Sequence, residues 1–382
     1  MAVGIFGEDP VAATPTESPM AFPHGLNLFV DNEGPTTSLT ASVLDRLCGT
    51  DMLNLERVND AHRKEYLAKP TLFSRVCAPG LQWLPKFLSR HSARYAYYLD
   101  DNLWEYRRDS ALARYYASAA VRRSLESFIR GSAVTLVNSH HLANFVRDRI
   151  PSTNIVCVPA SFDFRMIPSD QVISERSGPL RVGYAGSERG EAFKAVATAI
   201  ERLLSERPGE FQFEFIGYLP DTLKGRQGVQ HFEAVPDYRS FLALKQSRKW
   251  EVGLAPLEDD LFSRCKTNNK FREYGALGIV GLYSDVVPYA DSVSNGRTGM
   301  LVGHGADAWT SALEWALAHR AALSAIGAEA RKEVWARHRL DVVAAQWAAA
   351  LADADLRAAR TARSGLEWHL LGLFGRLAAR SP

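Results

Sequence analysis

Two adjacent carboxylates, Asp100 and Asp101, end the apolar run Arg94–Leu99 (RYAYYL). A carboxylate at a strand's carboxyl end can meet an incoming hydroxyl, orient it and take its proton; the same pair can instead cap the segment that follows. A second group lies in CKTNNKFREYGALG, residues 265–278. Thr267 or Asn268 can cap a helix there, and its first turn, with Asn269, presents free amides. Lys266 and Lys270 are four apart and Glu273 is three further on, so on a helix all three share one side. Cations beside a helix start suit a diphosphate, and a fixed carboxylate suits the paired hydroxyls of a ribose. The plainer alternative is a solvent-facing Lys–Glu pair worth ~0.3–0.5 kcal/mol. Gly275, Ala276 and Gly278 weigh against it, because they leave one side of the helix thin enough for a close neighbour or a ligand.

Two glycine turns add to this set. In YAGSERG, Gly186 and Gly190 let backbone come close to an anion, while Ser187, Arg189 and Lys194 offer hydrogen bonds and positive charge. An ordinary strand-to-helix turn has the same look. Gly217 ends FQFEFIG, on an edge that would face a nucleotide base. Ser139-His140-His141 reads as a helix cap followed by surface histidines, with cleft contact as the alternative.

The elements that must position these residues form two alternating series. Leu26–Val30, Arg94–Leu99, Ala133–Asn138 and Asn154–Pro159 read as strands, with helices over Thr40–Leu47, about 110–130 and His141–Arg149. Leu180–Tyr184, Phe211–Ile216, Val252–Ala255 and Ile279–Tyr283 form a second strand series, with helices over Glu191–Glu206, Tyr238–Gln246 and Asn268–Ala276 and from Ala306 onward. Such alternation predicts an α/β protein of two Rossmann-like, doubly wound units facing a cleft, with ligands beyond the strands' carboxyl ends. The expected division is a flexible tail (1–22), a first unit (23–163), a linker (164–179), a second unit (180–340) and C-terminal helices (341–382).

The length of 382 residues suits two such domains, and 46% hydrophobic with 23% charged residues is ordinary for a soluble chain. A net charge of +2 gives no footprint for nucleic acid. Cys48, Cys77, Cys157 and Cys265 are scattered without CxxC or His at ligand spacing, which argues against a metal site or disulfide framework and for a reducing compartment. No signal peptide and no run of ~18 apolar residues is evident. Residues 365–380 (GLEWHLLGLFGRLAAR) combine a broad apolar face with Arg376 and Arg380, suiting a helix docked on its own protein or one lying on a membrane surface.

KFREYGALGIVGLYSDVVPYADSVSNGRTGMLV resembles the C-terminal signature of the glycogen-synthase-like, nucleotide-sugar-dependent glycosyltransferases. APLEDDLFSRCKTNNKFREYGALG is closer to a bacterial polysaccharide branch with Pro-Leu, Phe, Lys-Ser-x-x-Lys and Glu-Tyr in this order, and the match runs on through Pro288–Tyr289 and Gly296–Val302. Asp100-Asp101-Asn102-Leu103-Trp104 resembles that branch's Asp-Asp-x-Leu-Trp. The resemblance implies the GT-B fold, C-terminal helices returning to the first domain, Glu273 on the donor ribose and the Lys266–Lys270 segment near its phosphates. Cys265 stands where the wider family has an earlier Glu, Val280 where Pro is common, and Ala160 replaces an Asn before Asp163.

The expected activity is transfer of a sugar from a nucleoside diphosphate sugar to a saccharide or lipid-linked acceptor, in cell-envelope or exopolysaccharide assembly at the cytoplasmic face. The donor is a co-substrate; no cofactor, metal or nucleic acid is called for. Asp100 or Asp101 is the candidate base if the reaction inverts, and the leaving phosphate takes the proton if it retains. The alternatives are a non-catalytic module that binds a sugar nucleotide or a partner, and a sugar-nucleotide epimerase.

Overall fold

The computed structural model describes residues 22–31, 35–48, 53–57, 69–107, 110–167 and 178–358. The expected tail, nearly all of it, the middle of the expected linker and the amphipathic stretch 365–380 lie outside them.

Among the described residues, twelve strands make two six-stranded, all-parallel sheets. The first contains β1 (Leu26–Val30), β2 (Leu53–Arg57), β3 (Thr71–Ser74), β4 (Tyr95–Leu99), β5 (Val134–Val137) and β6 (Ile155–Cys157), in the order β2-β1-β3-β4-β5-β6. The second contains β7 (Leu180–Gly186), β8 (Phe211–Gly217), β9 (Val229–Phe232), β10 (Val252–Ala255), β11 (Val280–Ser284) and β12 (Met300–Val302), in the order β12-β11-β10-β7-β8-β9. The strand order reverses between β1 and β3 in the first sheet and between β7 and β10 in the second. A crevice opens beyond the strand ends at each such switch point.

The helices of the first domain are α1 (Pro35–Cys48), α2 (Leu84–Arg90), α3 (Ala111–Ala117), α4 (Ala119–Gly131) and α5 (His140–Arg149). Those that follow are α6 (Gly190–Glu206), α7 (Tyr238–Ser247), α8 (Leu261–Arg264), α9 (Asn269–Ala276), α10 (Ala306–Ala318), α11 (Arg320–His338) and α12 (Leu340–Ala352). The helix expected over 110–130 is two helices, because Ser118 takes an extended conformation between α3 and α4. β2, β3, β9 and β12 went unread: LNLER, TLFS and VQHF mix polar with apolar residues and MLV is only three long, so no apolar run stands out.

α12 crosses back onto the first domain. Val343, Ala344, Trp347 and Leu351 join the core over Leu26, Leu28 and Tyr98, and Arg46 pairs with Asp341 at 2.7 Å. Where the chain passes between domains, the Phe162 N–H donates to the His338 carbonyl at 2.7 Å, so the two crossings are tied together.

One packing device fixes the helix that carries the candidate lysines. Gly183, Gly253 and Gly281 are in register on β7, β10 and β11. A Cβ on each would meet the ring of Trp250, Tyr274 or Tyr283, respectively, within 2.7 Å. These bare backbone positions let large rings lie flat on the sheet. Tyr274, from α9, also donates its hydroxyl to the Leu254 carbonyl at 2.8 Å, so α9 is held at a fixed height above β10. On its other side Gly275 meets Val334 and Ala330 of α11, so the thin face of α9 accommodates a neighbouring helix and not a ligand.

Candidate active site

The two crevices face one another and line a partly open cavity of about 180 Å3. Its first-domain wall comes from α1 and the ends of β4 and β5, with Thr36, Asp100, Asp101 and Asn138. Its second-domain wall comes from the turn after β7 and from the 266–272 segment, with Arg189, Lys266, Asn269, Lys270 and Arg272. Carboxylates therefore oppose cations across the cleft.

The carboxyl pair does not cap the following segment. Asp100 is buried, accepts from Thr36 Oγ1 at 2.8 Å and lies 3.3 Å from Arg75 Nη1. Its Oδ1 has no hydrogen bond of good geometry. Burial pushes its carboxyl up, against the Arg75 charge. Asp101 is more open and accepts from Lys266 Nζ, across the cleft, at 3.1 Å. Burial pushes Asp101 up too, but Lys266 and Arg75 outweigh it and hold it below the usual carboxylate range. Adjacent residues thus have opposite tendencies, one toward the protonated form and one toward the ionised. Arg75 sets this up from the end of β3 in a left-handed conformation, φ 58°, which costs a non-glycine residue about 1–2 kcal/mol.

On the other wall, α9 begins at Asn269, so Lys266 precedes the helix and does not share its face with Lys270 and Glu273, as the four-residue spacing suggested. Neither capping candidate closes the helix start with its side chain. Asn268 Oδ1 and Thr267 Oγ1 instead accept from the buried Arg272 guanidinium at 3.1 and 3.3 Å. Arg272 also donates to the Ser161 carbonyl, which ties α9 to the interdomain crossing. Lys270 Nζ lies 3.5 Å from where a Cβ on Gly186 would be, so the lysine and the end of β7 are brought together. Burial, with the charges of Lys245 and Arg189, draws Lys270 down to about 7 against the pull of Glu273.

Glu273 itself does not line the cavity. It is buried beneath Lys270 and Asn269, paired with the fully buried Lys245 of α7 and 3.8 Å from Lys270 Nζ. Its Oε1 accepts from Asn269 Nδ2 at 3.1 Å and from the Tyr238 hydroxyl at 3.3 Å. Burial works against its charge, yet Lys245 and Lys270 hold the carboxyl down at about 2.

Ser187 is exposed, and its carbonyl accepts from the Tyr184 hydroxyl at 2.5 Å. Lys194 is exposed and paired with Glu191 at 2.5 Å. The start of α6, where an anion was expected, receives the Glu258 carboxylate, which accepts from Ala192 N–H at 2.6 Å. Gly186 and Gly217 pair at the ends of β7 and β8 without lining the cavity. A Cβ on Gly217 would come within 2.9 Å of the Gly186 carbonyl, at φ 89°. Gly217→Ala is therefore expected to destabilise the second domain by about 1–3 kcal/mol. Gly296→Ala, at φ 76° with open space around it, isolates the conformational part. Urea midpoints of the two variants give the clash as their difference; equal midpoints would remove it.

Sequence reasoning missed Thr36, Arg75, Lys245, Tyr238, Arg272 and Tyr289. Thr36 sits in a turn-rich stretch, GPTTS, and like the others it carries no spacing signal. The 262–268 segment also docks on the first domain. Asn102 Nδ2 donates to Cys265 Sγ at 3.5 Å, Ser139 Oγ donates to the Cys265 carbonyl at 3.0 Å, and the Tyr106 and Phe262 rings meet edge-on at 5.2 Å. Ser139 caps α5 as its type suggested, and His141 pairs with Asp291 across the domains at 3.1 Å. Among the described residues no group of three or more His, Cys, Asp or Glu is placed to hold a metal ion. No helix among them is long and apolar enough to cross a membrane.

No family model matches the chain, and no curated protein gives a significant sequence match. Solved structures do match. HepE of Anabaena, solved with UDP and glucose, aligns at TM-score 0.61 and 12% identity over 86% of this chain and 99% of its own. Sucrose-phosphate synthase of Thermosynechococcus elongatus aligns at 0.57 and 14% identity over 85% and 97%. TarM of S. aureus aligns at 0.55 and 10% identity over 76% of this chain and 55% of its own. At these identities the likeness is one of architecture: the chain has the GT-B fold of two Rossmann-like domains facing a cleft, which these glycosyltransferases share.

Proposed function

We propose that the protein is a glycosyltransferase that moves a sugar from a nucleoside diphosphate sugar to a saccharide or lipid-linked acceptor. The observation that carries this reading is the division of charge across one interdomain cavity. Asp101 stands at the first-domain wall, and Lys266, Lys270 and Arg189 converge from the second. Leaving of a diphosphate develops negative charge, so pre-placed cations in a water-poor site are what the reaction needs. The HepE structures with UDP and UDP-glucose support a nucleotide sugar as donor, and the TarM complex with UDP and α-GlcNAc-glycerol supports a sugar-bearing acceptor.

In this mechanism Lys270, Arg189 and Asn269 hold the diphosphate. Lys266 leaves Asp101 to join them, and Asp101 takes the proton of the acceptor hydroxyl. Asp100, with Arg75 and Thr36, keeps its neighbour in place. No step calls for a metal. Assembly of envelope or extracellular polysaccharide at the cytoplasmic face, with 365–380 lying against the membrane, is the setting that the sequence resemblance favours.

Calorimetry with UDP, GDP, dTDP and CDP, with and without chelator, tests the donor site. One nucleotide is expected to bind saturably and without regard to chelator. Lys270→Met is expected to weaken that nucleotide about 10- to 150-fold, the worth of a hydrogen bond to a charged group. The pH dependence has a definite sign. Free Lys270 loses its proton near 7, while a bound diphosphate keeps it charged. Affinity is therefore flat below pH 7, falls by up to tenfold per pH unit above it, and stays flat in the variant. Failure of all four nucleotides at millimolar concentration would remove the donor site, leaving a GT-B chain kept for interaction.

A further inference from the structure

Tyr289 lies in the connection from β11 to β12, and no step of the mechanism above uses it. The residue is only 5% exposed, yet it lines the cavity. Among the described residues its hydroxyl has no hydrogen-bond partner, and unlike the hydroxyl of the neighbouring Tyr283 it is not sealed in. A phenol that is otherwise buried and turns its polar atom to a cavity is placed to meet what enters.

The ring is held in one position. It packs against Tyr283 with centroids 5.0 Å apart, and Tyr283 itself lies over the bare backbone of Gly281. Tyr289 N–H donates to the Val286 carbonyl, and the N–H groups of Ser292 and Val293 donate to the Tyr289 carbonyl, each at 2.9 Å. A donor fixed in this way needs no reorganisation when charge develops in front of it.

Its neighbour sets what it can meet. The charge acting most strongly on the Tyr289 phenol is that of Arg189, which reaches the cavity from the turn after β7. Arg189 makes no ion pair among the described residues; it donates to the Tyr184 hydroxyl, whose own proton goes to the Ser187 carbonyl. Burial pushes the Tyr289 phenol up against the pull of Arg189, so it stays protonated and can donate. Two donors, one of them a cation, thus face the same cavity from two loops. A sugar hydroxyl there would have to turn its own proton elsewhere, whereas an oxygen anion accepts from both.

We infer that Tyr289 is a further catalytic residue: its hydroxyl, beside Arg189, donates a hydrogen bond to the β-phosphate of the donor as that phosphate leaves. This rests on the donor-site reading above and deepens it. In the transfer step the acceptor oxygen bonds the anomeric carbon, and the bond from that carbon to the β-phosphate oxygen breaks. The electron pair stays on the phosphate oxygen, and the acceptor's proton goes to Asp101. Negative charge grows on the β-phosphate, so a hydrogen bond to it strengthens as the bond breaks.

Tyr289→Phe tests this, because it keeps the ring and its packing and removes only the hydroxyl. Tyr283→Phe is the control: it removes a sealed hydroxyl from the adjacent ring. Calorimetry compares UDP, GDP, dTDP and CDP with their monophosphates and with a nucleotide sugar of whichever base binds. In Tyr289→Phe the diphosphate is expected to weaken about 10- to 150-fold, the worth of a hydrogen bond to a charged group, with the monophosphate within about twofold of wild type. The nucleotide sugar, whose β-phosphate carries less charge, is expected to weaken less than the diphosphate. Release of diphosphate from the bound nucleotide sugar to water is expected to slow about 10²- to 10³-fold. Tyr283→Phe is expected to match wild type throughout. An unchanged diphosphate affinity, an equal loss for the monophosphate, or an unchanged release rate would overturn the inference. So would a loss larger for the nucleotide sugar than for the diphosphate, which would put the hydroxyl on the sugar. If none of the four diphosphates binds wild-type protein, the donor-site reading falls first; if one binds wild type and Tyr289→Phe equally, only the inference falls.

Discussion

Asp101→Asn is expected to lower sugar transfer by about 10²- to 10⁴-fold, the usual worth of a general base, while nucleoside diphosphate binding stays the same or tightens. The second half of that expectation follows from Lys266. Its ammonium is held by Asp101, 3.1 Å away, so a donor must compete with that carboxylate for it. An asparagine releases the lysine to the diphosphate. The same pair explains how a carboxylate held below its usual range can act as a base. While Lys266 stays on Asp101, the carboxylate is ionised but weakly basic. Once Lys266 moves to the donor, burial and the neighbouring Asp100 raise the affinity of Asp101 for a proton, just as the acceptor hydroxyl arrives. Single-turnover rates and calorimetry on Asp101→Asn and Asp100→Asn separate the roles. A variant of Asp101 with wild-type turnover, beside a dead Asp100 variant, would reverse the assignment.

The division between what could be read and what could not has physical causes. Strands of five to seven residues buried on both faces, such as Leu26–Val30 and Phe211–Gly217, stand out as apolar runs, and so the alternation that defines the fold was legible. The carboxyl pair and the α9 lysines were legible because neighbours in sequence share an element. Arg75 was not, because its meeting with Asp100 depends on β3 and β4 lying side by side. Lys245 looks like any surface lysine of an amphipathic helix until α7 is packed against α9, 28 residues away in sequence. The helix period also misplaced Lys266: a spacing of four implies a shared face only if the helix has begun, and here it begins three residues later. Cys265 shows the same limit. By sequence it is only a departure from an expected Glu, whereas its side chain packs into the first domain's core and accepts from Asn102. A residue there joins the second domain to the first.

Glu273→Gln alone is expected to destabilise the second domain by about 3–5 kcal/mol, a large part of the 5–15 kcal/mol that holds a typical protein folded. The amide keeps the volume and removes the charge, so no cavity term enters. What remains is Lys245 with no exposed surface, two aromatic rings around it and no carboxylate. Adding Lys245→Met is expected to recover most of the loss, because a buried ion pair replaced whole by apolar groups costs little, whereas one broken in half costs much. The pH dependence of the wild-type protein follows the same logic. The Glu273 carboxyl is depressed to about 2, so its contribution is complete above its unfolded value of roughly 4. That contribution is lost as pH falls from there toward 2. Lys245 and Lys270 are also depressed, Lys270 to about 7. The burial cost of Lys270 is therefore present below neutrality and is relieved as pH rises from about 7 toward the unfolded lysine value of roughly 10, and that of Lys245 changes in the same direction. Urea unfolding of wild type, single and double variants at pH 3, 7 and 9 reads both effects. If the single variant is as stable as wild type, Lys245 has found another counter-charge, and its pair with Glu273 does not hold.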